Sequence, residues 1–265
     1  MTVVPEASLP FIPGLVSVTF RQLGVERVVE LASDAGLKSI EWGGDIHVPH
    51  GDLAKADRSR KLCEDAGIAV SAYGSYYRAW ASEKNGVDFS SILDTAQSLG
   101  APMVRVWAGN LASAGAPPGF REAVVADLKR ICVLAAQRDC SISLEFHGGT
   151  LTDNAATTRE VIDAVGAPNL TTYWQPPVGI AGEQCLDGLK LILPYLQNLH
   201  VFHWWPDQQH RLSLSDGQGQ WRKYLEAAAD PAKRRHVSLE FVRNDDAEQF
   251  RQDAKTLLNL LKETP

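Results

Sequence analysis

The tetrapeptide Ser-Leu-Glu-Phe occurs twice in the chain, at 143–146 and 238–241, and each copy sets one carboxylate among small and apolar residues. In an extended segment alternate side chains share a face. Ser143, Glu145 and His147 therefore look one way while Ile142, Leu144 and Phe146 look the other, and Glu240 divides from Leu239 and Phe241 in the same manner. Buried charge is costly unless it is paired or holds a metal, so two such glutamates are groups placed for chemistry. Glu41, Tyr73, Arg105, Gln175 and His200 also stand near the ends of short β-rich runs, in phase with an inward face.

Carboxylates from Glu145 and Glu240, the His200 imidazole and the Gln175 amide oxygen form a donor set for a hard or borderline divalent cation. Mn²⁺ is the first expectation, with Mg²⁺, Co²⁺ and Zn²⁺ as alternatives. The cation would offset repulsion between the glutamates. A hydrogen bond at a barrel rim explains any one of these residues alone; four on consecutive strands favour a metal.

Positioning them requires a repeating scaffold. Ala35-Gly36, Ala66-Gly67, Leu99-Gly100 and Arg138-Asp139 each close a helical segment just before a β-rich run, the punctuation of αβ junctions in a parallel sheet. Strands are predicted over 15–20, 38–42, 68–73, 103–107, 142–147, 170–175, 199–203 and 237–241. Helices fall near 24–35, 57–66, 90–99, 119–138, 153–165, 183–196, 217–229 and 246–262. Eight βα units in 265 residues predict an α/β fold of the (β/α)8 barrel type, one domain over 1–265 with an extended lead-in at 1–13. Active sites of such barrels lie at the C-terminal ends of the strands, where the polar residues above cluster.

Composition narrows the partners. The chain is 45% hydrophobic with a net charge of −6, and no apolar run approaches the roughly 18 residues of a membrane span. No basic patch interleaved with aromatics marks a nucleic-acid surface. Cys63, Cys132, Cys140 and Cys185 form no CxxC pair and read as reduced core residues, which with no secretory leader in 1–13 points to the cytoplasm. A small polar substrate is the expectation, and the outer helices of barrels often pair subunits, so a homo-oligomer is compatible with it.

On the Leu-Glu-Phe-His run at 144–147, the His200 region Asn198-Leu199-His200-Val201-Phe202, and Glu240, the chain resembles the xylose-isomerase-like barrels of the sugar phosphate isomerase/epimerase type. The resemblance covers essentially the whole chain. It implies a Glu, Asp, His, Glu metal tetrad on strands five to eight, to which Glu145, His200 and Glu240 correspond. Where Asp is usual this chain has Tyr173-Trp174-Gln175-Pro176-Pro177, so a neutral amide stands at the second position and the histidine that often follows is missing.

The resemblance further implies that Glu145 and Glu240 exchange a proton with the carbon beside a sugar carbonyl, through an enediolate. Opposite-face bases give epimerisation and one base gives isomerisation. A leaving group β to the carbanion gives elimination, as from a 3-keto-glycoside or inosose. A non-catalytic sugar-binding barrel and an endonuclease IV-like enzyme are the remaining readings, the latter short of ligands and of a basic groove. Substrate contacts are expected from His47, Tyr73, Arg105, Trp107, His147 and His203, with an aromatic rim from Tyr76, Tyr77 and Trp204-Trp205.

Overall fold

Eight parallel strands close on themselves in sequence order in the computed structural model, which describes residues 10–180 and 182–264. They are β1 Phe11–Val16, β2 Ser39–Gly43, β3 Ala69–Arg78, β4 Met103–Trp107, β5 Ser141–Leu144, β6 Leu170–Trp174, β7 Leu196–Val201 and β8 Arg235–Leu239. The helices that follow them are α1 Val25–Asp34, α2 Leu53–Asp65, α3 Phe89–Leu99, α4 Phe120–Ala136, α5 Ala155–Val165, α6 Glu183–Ile192, α7 Gln218–Ala228 and α8 Ala247–Glu263. This is the expected (β/α)8 barrel.

Local chemistry sets the helix ends. Asp52, Asp88, Asn154 and Asp246 each accept a backbone N–H of the first turn, a cap that typically contributes about 1 kcal/mol. Gly100 and Gly166 close α3 and α5 in the left-handed region. Outward strand residues such as Leu15, Ile40, Val104, Ile142, Leu199 and Val237 are fully buried against the helix ring and belong to one continuous core. Inside the barrel Ala72, Met103 and Tyr173 form a separate small cluster, above which the charged side chains Glu41, Arg105, Glu145 and Glu240 are buried. The four cysteines are free and buried, and among the described residues no helix is long and apolar enough to cross a membrane.

Two expectations need correction. Strand 1 begins at Phe11, inside the predicted lead-in, whose first nine residues lie outside the described part. It pairs with β8 from Phe11↔Arg235 to Leu15↔Leu239. Ser17–Phe20, read as strand, instead form a buried 3-10 turn, because the Ser17 hydroxyl takes the Gly43 N–H at 2.9 Å where the ladder would continue.

The second concerns β3. Its pairing with β2 jumps from Ile40↔Val70 to Glu41↔Ala72, a bulge with one extra residue. Such an insertion exchanges the inner and outer faces. Ala72 and Gly74 thereby turn inward and Tyr73 turns outward, where its hydroxyl donates to the Val48 carbonyl at 2.7 Å and lies 2.8 Å from His50 Nδ1.

Candidate active site

Glu145, Gln175 and Glu240 are the first residues after β5, β6 and β8, and His200 is the penultimate residue of β7. Each strand thus stops where its polar residue reaches the mouth. Glu145, Gln175 and Glu240 line a cavity of about 510 Å³ there. Ligand atoms of Glu145, His200 and Glu240 lie within 4.8 Å of one another, and all three residues are buried.

His200 organises the cluster. Its Nδ1 stands 3.2 Å from Gln175 Oε1, 3.5 Å from Glu240 Oε2 and 4.0 Å from Glu145 Oε1. Its Nε2 lies 3.2 Å from Glu41 Oε2 at the opposite edge of the ring. A carboxylate that takes the proton of one imidazole nitrogen leaves the other free as a ligand. Two carboxylate groups, an imidazole nitrogen that can give up its proton to a metal and an amide oxygen facing one point suit a divalent cation, so the residues present fit the expected metal.

Arg105, inside β4, crosses the barrel at the same level. Its Nε donates to Glu41 Oε1 at 2.5 Å and its Nη1 pairs with Glu145 Oε2. Trp107 Nε1 donates to that same Glu145 oxygen. The guanidinium has room only because residue 74 is glycine: a Cβ there would lie 2.6 Å from Arg105 Nη2 and 3.1 Å from Glu41 Oε1.

These contacts fix protonation states. Burial alone would push the Glu41 carboxyl up, but Arg105 and His200 bring it down to about 2. Burial would push His200 down, yet Glu240 and Glu41 hold it up at about 9. Glu240 is likewise lowered against its burial, by His200 and Arg105. Burial pushes Arg105 down, but Glu41, Glu240 and the neighbouring tyrosines Tyr76 and Tyr173 together hold it raised. The level is a set of buried charges held by one another.

Above it lies an aromatic rim. Trp107 stacks on His147 with centroids 5.0 Å apart, and the Arg78 guanidinium sits 4.1 Å over the Trp107 ring. Tyr76 meets Trp107 edge-on at 5.3 Å and accepts a 2.7 Å hydrogen bond from Arg21. His147, Trp107 and Arg105 thus stand at the mouth.

Three expected substrate contacts stand elsewhere. Tyr73 faces out of the barrel, as described. His47 is buried on the outer side, with Nε2 3.2 Å from the Leu23 carbonyl and its ring edge-on to Trp42. His203 follows the end of β7 and lines the neighbouring cavity, packed on Gly217. Phe241, expected to face away from Glu240, lines the mouth instead, its backbone turned to a φ of 50° just past the end of β8; Arg21 also lines the mouth, and no spacing or periodicity in the chain announces it or the need for Gly74.

Barrel, mouth and donor set together define an enzyme fold with a candidate metal centre. The chain belongs to the xylose isomerase-like TIM barrel family, whose pattern matches residues 29–261. It is 24% identical over 203 residues to a 3-dehydroshikimate dehydratase of Bacillus anthracis, covering 70% of this chain and 69% of that one. A crystal structure of a probable 3-DHS dehydratase involved in petrobactin synthesis in Bacillus anthracis superposes with a TM-score of 0.77 at 20% identity, over 94% of this chain and 99% of the other. D-psicose 3-epimerase of Clostridium cellulolyticum H10 superposes with a TM-score of 0.74 at 15% identity, over 96% and 99%. Relatives in this fold thus include both an epimerase and a dehydratase.

Proposed function

We propose that this protein is a divalent-metal-dependent enzyme that removes a proton next to the carbonyl of a small hydroxylated ketone, and that loss of a β-hydroxyl follows. The observation that carries the reading is the convergence of Glu145, His200 and Glu240 within 4.8 Å at the barrel mouth. A cation held by these residues, with Gln175 beside them, would supply Lewis-acid polarisation of the substrate carbonyl when bound.

Unequal engagement of the two glutamates favours elimination over two-base epimerisation. Glu145 Oε2 already receives both Arg105 and Trp107, and a carboxylate oxygen saturated by donors is a poor base. Among the described residues the Glu240 carboxylate pairs with His200 alone, and Glu240 is the base of this reading, taking the proton on one face of the substrate. Arg105, fixed between Glu41 and Glu145, holds Glu145 in place and adds positive charge where the oxyanion develops. His147, stacked on Trp107, stands at the rim to return a proton or assist the departing hydroxyl. The similarity to a 3-dehydroshikimate dehydratase points the same way.

The test is incubation in D₂O with Mn²⁺ and two substrates, 3-dehydroshikimate and a free ketohexose. A dehydrated product with a new conjugated double bond is the expected outcome on the ring ketone. Deuterium entering an otherwise unchanged ketohexose, with no dehydration of either compound, would replace elimination by epimerisation or isomerisation.

A further inference from the structure

A second cavity, of about 350 Å³, adjoins the catalytic one. Pro176, Pro177, Val178, Ile180 and Trp204 line both, so the two chambers meet along the loops that follow β6 and β7. Their chemistry is different. Around the first stand Glu145, Glu240, Arg105 and Gln175; the second is walled mainly by the rings of Phe202, Trp204, Trp205, Trp221 and Tyr224, with His203, Asp216 and Gln220 between them.

Two of the indoles in this annex have their N–H groups turned to backbone carbonyls. Trp221 Nε1 donates to the Phe202 carbonyl at 2.8 Å, and Trp204 Nε1 points to the Phe241 carbonyl at 3.4 Å. Phe202 and Trp204 are stacked with centroids 4.0 Å apart. At the entrance Val178, Ile180 and Trp205 remain 46%, 37% and 45% exposed, a contiguous apolar rim of the sort that marks a ligand-binding groove. A bare polyol would fill the charged chamber and leave these surfaces wet.

We propose that the substrate of this site carries a planar apolar group, an aryl or fused-ring substituent, and that the annex receives it while the hydroxylated ketone end lies against Glu145 and Glu240. The wall shared by the two chambers sets the annex next to the reacting end, and on that adjacency it is assigned to a part of the substrate itself. The ketone end rests on the reaction proposed above; the annex does not.

The experiment has two arms on the full chain. In the first, 2-naphthol is titrated against the protein by ligand-observed NMR, and against Trp205→Ala and Val178→Asp, both at exposed positions that folding tolerates. Binding that weakens about tenfold or more in each variant is the expected result. In the second, deuterium exchange is compared for a hydroxylated ketone bearing a phenyl group and for its methyl counterpart, with kcat/KM at least about tenfold higher for the phenyl compound and the preference lost in Trp205→Ala. Absence of naphthol binding, or binding indifferent to both substitutions, overturns the annex whatever the ketones do. Naphthol binding lost in the variants, with no exchange on any ketone, upholds the annex and overturns the reaction. A concentration-dependent dimer that shields Trp205 and excludes naphthol overturns the proposal in favour of a second copy of the chain.

Discussion

Glu41 Oε2 lies 3.2 Å from His200 Nε2, on the side of the imidazole turned away from Glu145 and Glu240. The carboxylate thereby decides which nitrogen of the ring faces the cluster. Glu41→Gln keeps the size of the side chain but removes the charge that fixes the tautomer. Mn²⁺ affinity, measured by calorimetry, is expected to fall about 10- to 100-fold; an unchanged affinity would show that His200 is oriented by something else.

Gln175 contributes an oxygen but no charge to the set around His200 Nδ1. Gln175→Asp adds an anion where a cation is expected, so Mn²⁺ should bind about tenfold or more tightly, and Gln175→Ala more weakly. A Gln175→Asp protein that binds Mn²⁺ no better than the parent would remove residue 175 from the ligand set.

If Glu240 is the base, Glu240→Gln at saturating metal should lower solvent deuterium exchange about 10²- to 10⁴-fold. Glu145→Gln should act first on metal affinity, because Glu145 is already tied to Arg105 and Trp107. Equal losses of exchange at saturating metal would restore a two-base scheme.

Gly74→Ala introduces a Cβ 2.6 Å from Arg105 Nη2. Overpacking of this kind costs about 1–3 kcal/mol, here with displacement of a buried guanidinium from its carboxylates. Urea denaturation should show the loss, and metal affinity should fall with it. A variant of parental stability would mean that Arg105 has a second resting place.

His236 lies within the lower barrel, its Nδ1 2.8 Å from the Ser39 hydroxyl, and burial holds its pKa down to about 4 from 6.5. The folded state thus resists a proton that the unfolded chain accepts. Its contribution is complete above pH 6.5 and is lost as pH falls towards 4, up to about 3 kcal/mol over that window. Denaturation series at pH 7, 5.5 and 4 should show a shallower fall for His236→Gln than for the parent. Identical slopes would assign the acid sensitivity to other groups.

Much of this arrangement was legible in the chain because helix-closing glycines and β-rich runs are local signals. Glu145, Gln175, His200 and Glu240 could be placed at one mouth from strand order alone. Tyr73 was misplaced because a bulge is a two-strand property: nothing in 68–73 shows that Ala72, and not Ser71, opposes Glu41. Ser17–Phe20 looked extended by composition, yet the Ser17 side chain, bonded to Gly43 on the next strand, ends β1. Glu41 was visible as an inward carboxylate. Its partners were not, since Arg105 and His200 reach it from across the barrel, 64 and 159 residues along the chain.

At the upper level of the barrel the fully buried ionic side chains do not balance. Glu41, Glu145 and Glu240 face Arg105 alone when His200 is neutral, which leaves two negative charges, the charge of one divalent cation. With His200 protonated a single negative charge remains, and a monovalent ion cannot both neutralise the level and displace that proton. A divalent cation bound there, as proposed, would couple folding to metal through electroneutrality: Mn²⁺ should raise the melting temperature well beyond Na⁺ or K⁺ at equal ionic strength, and chelation should loosen the ends of β5, β7 and β8 before the rest of the barrel.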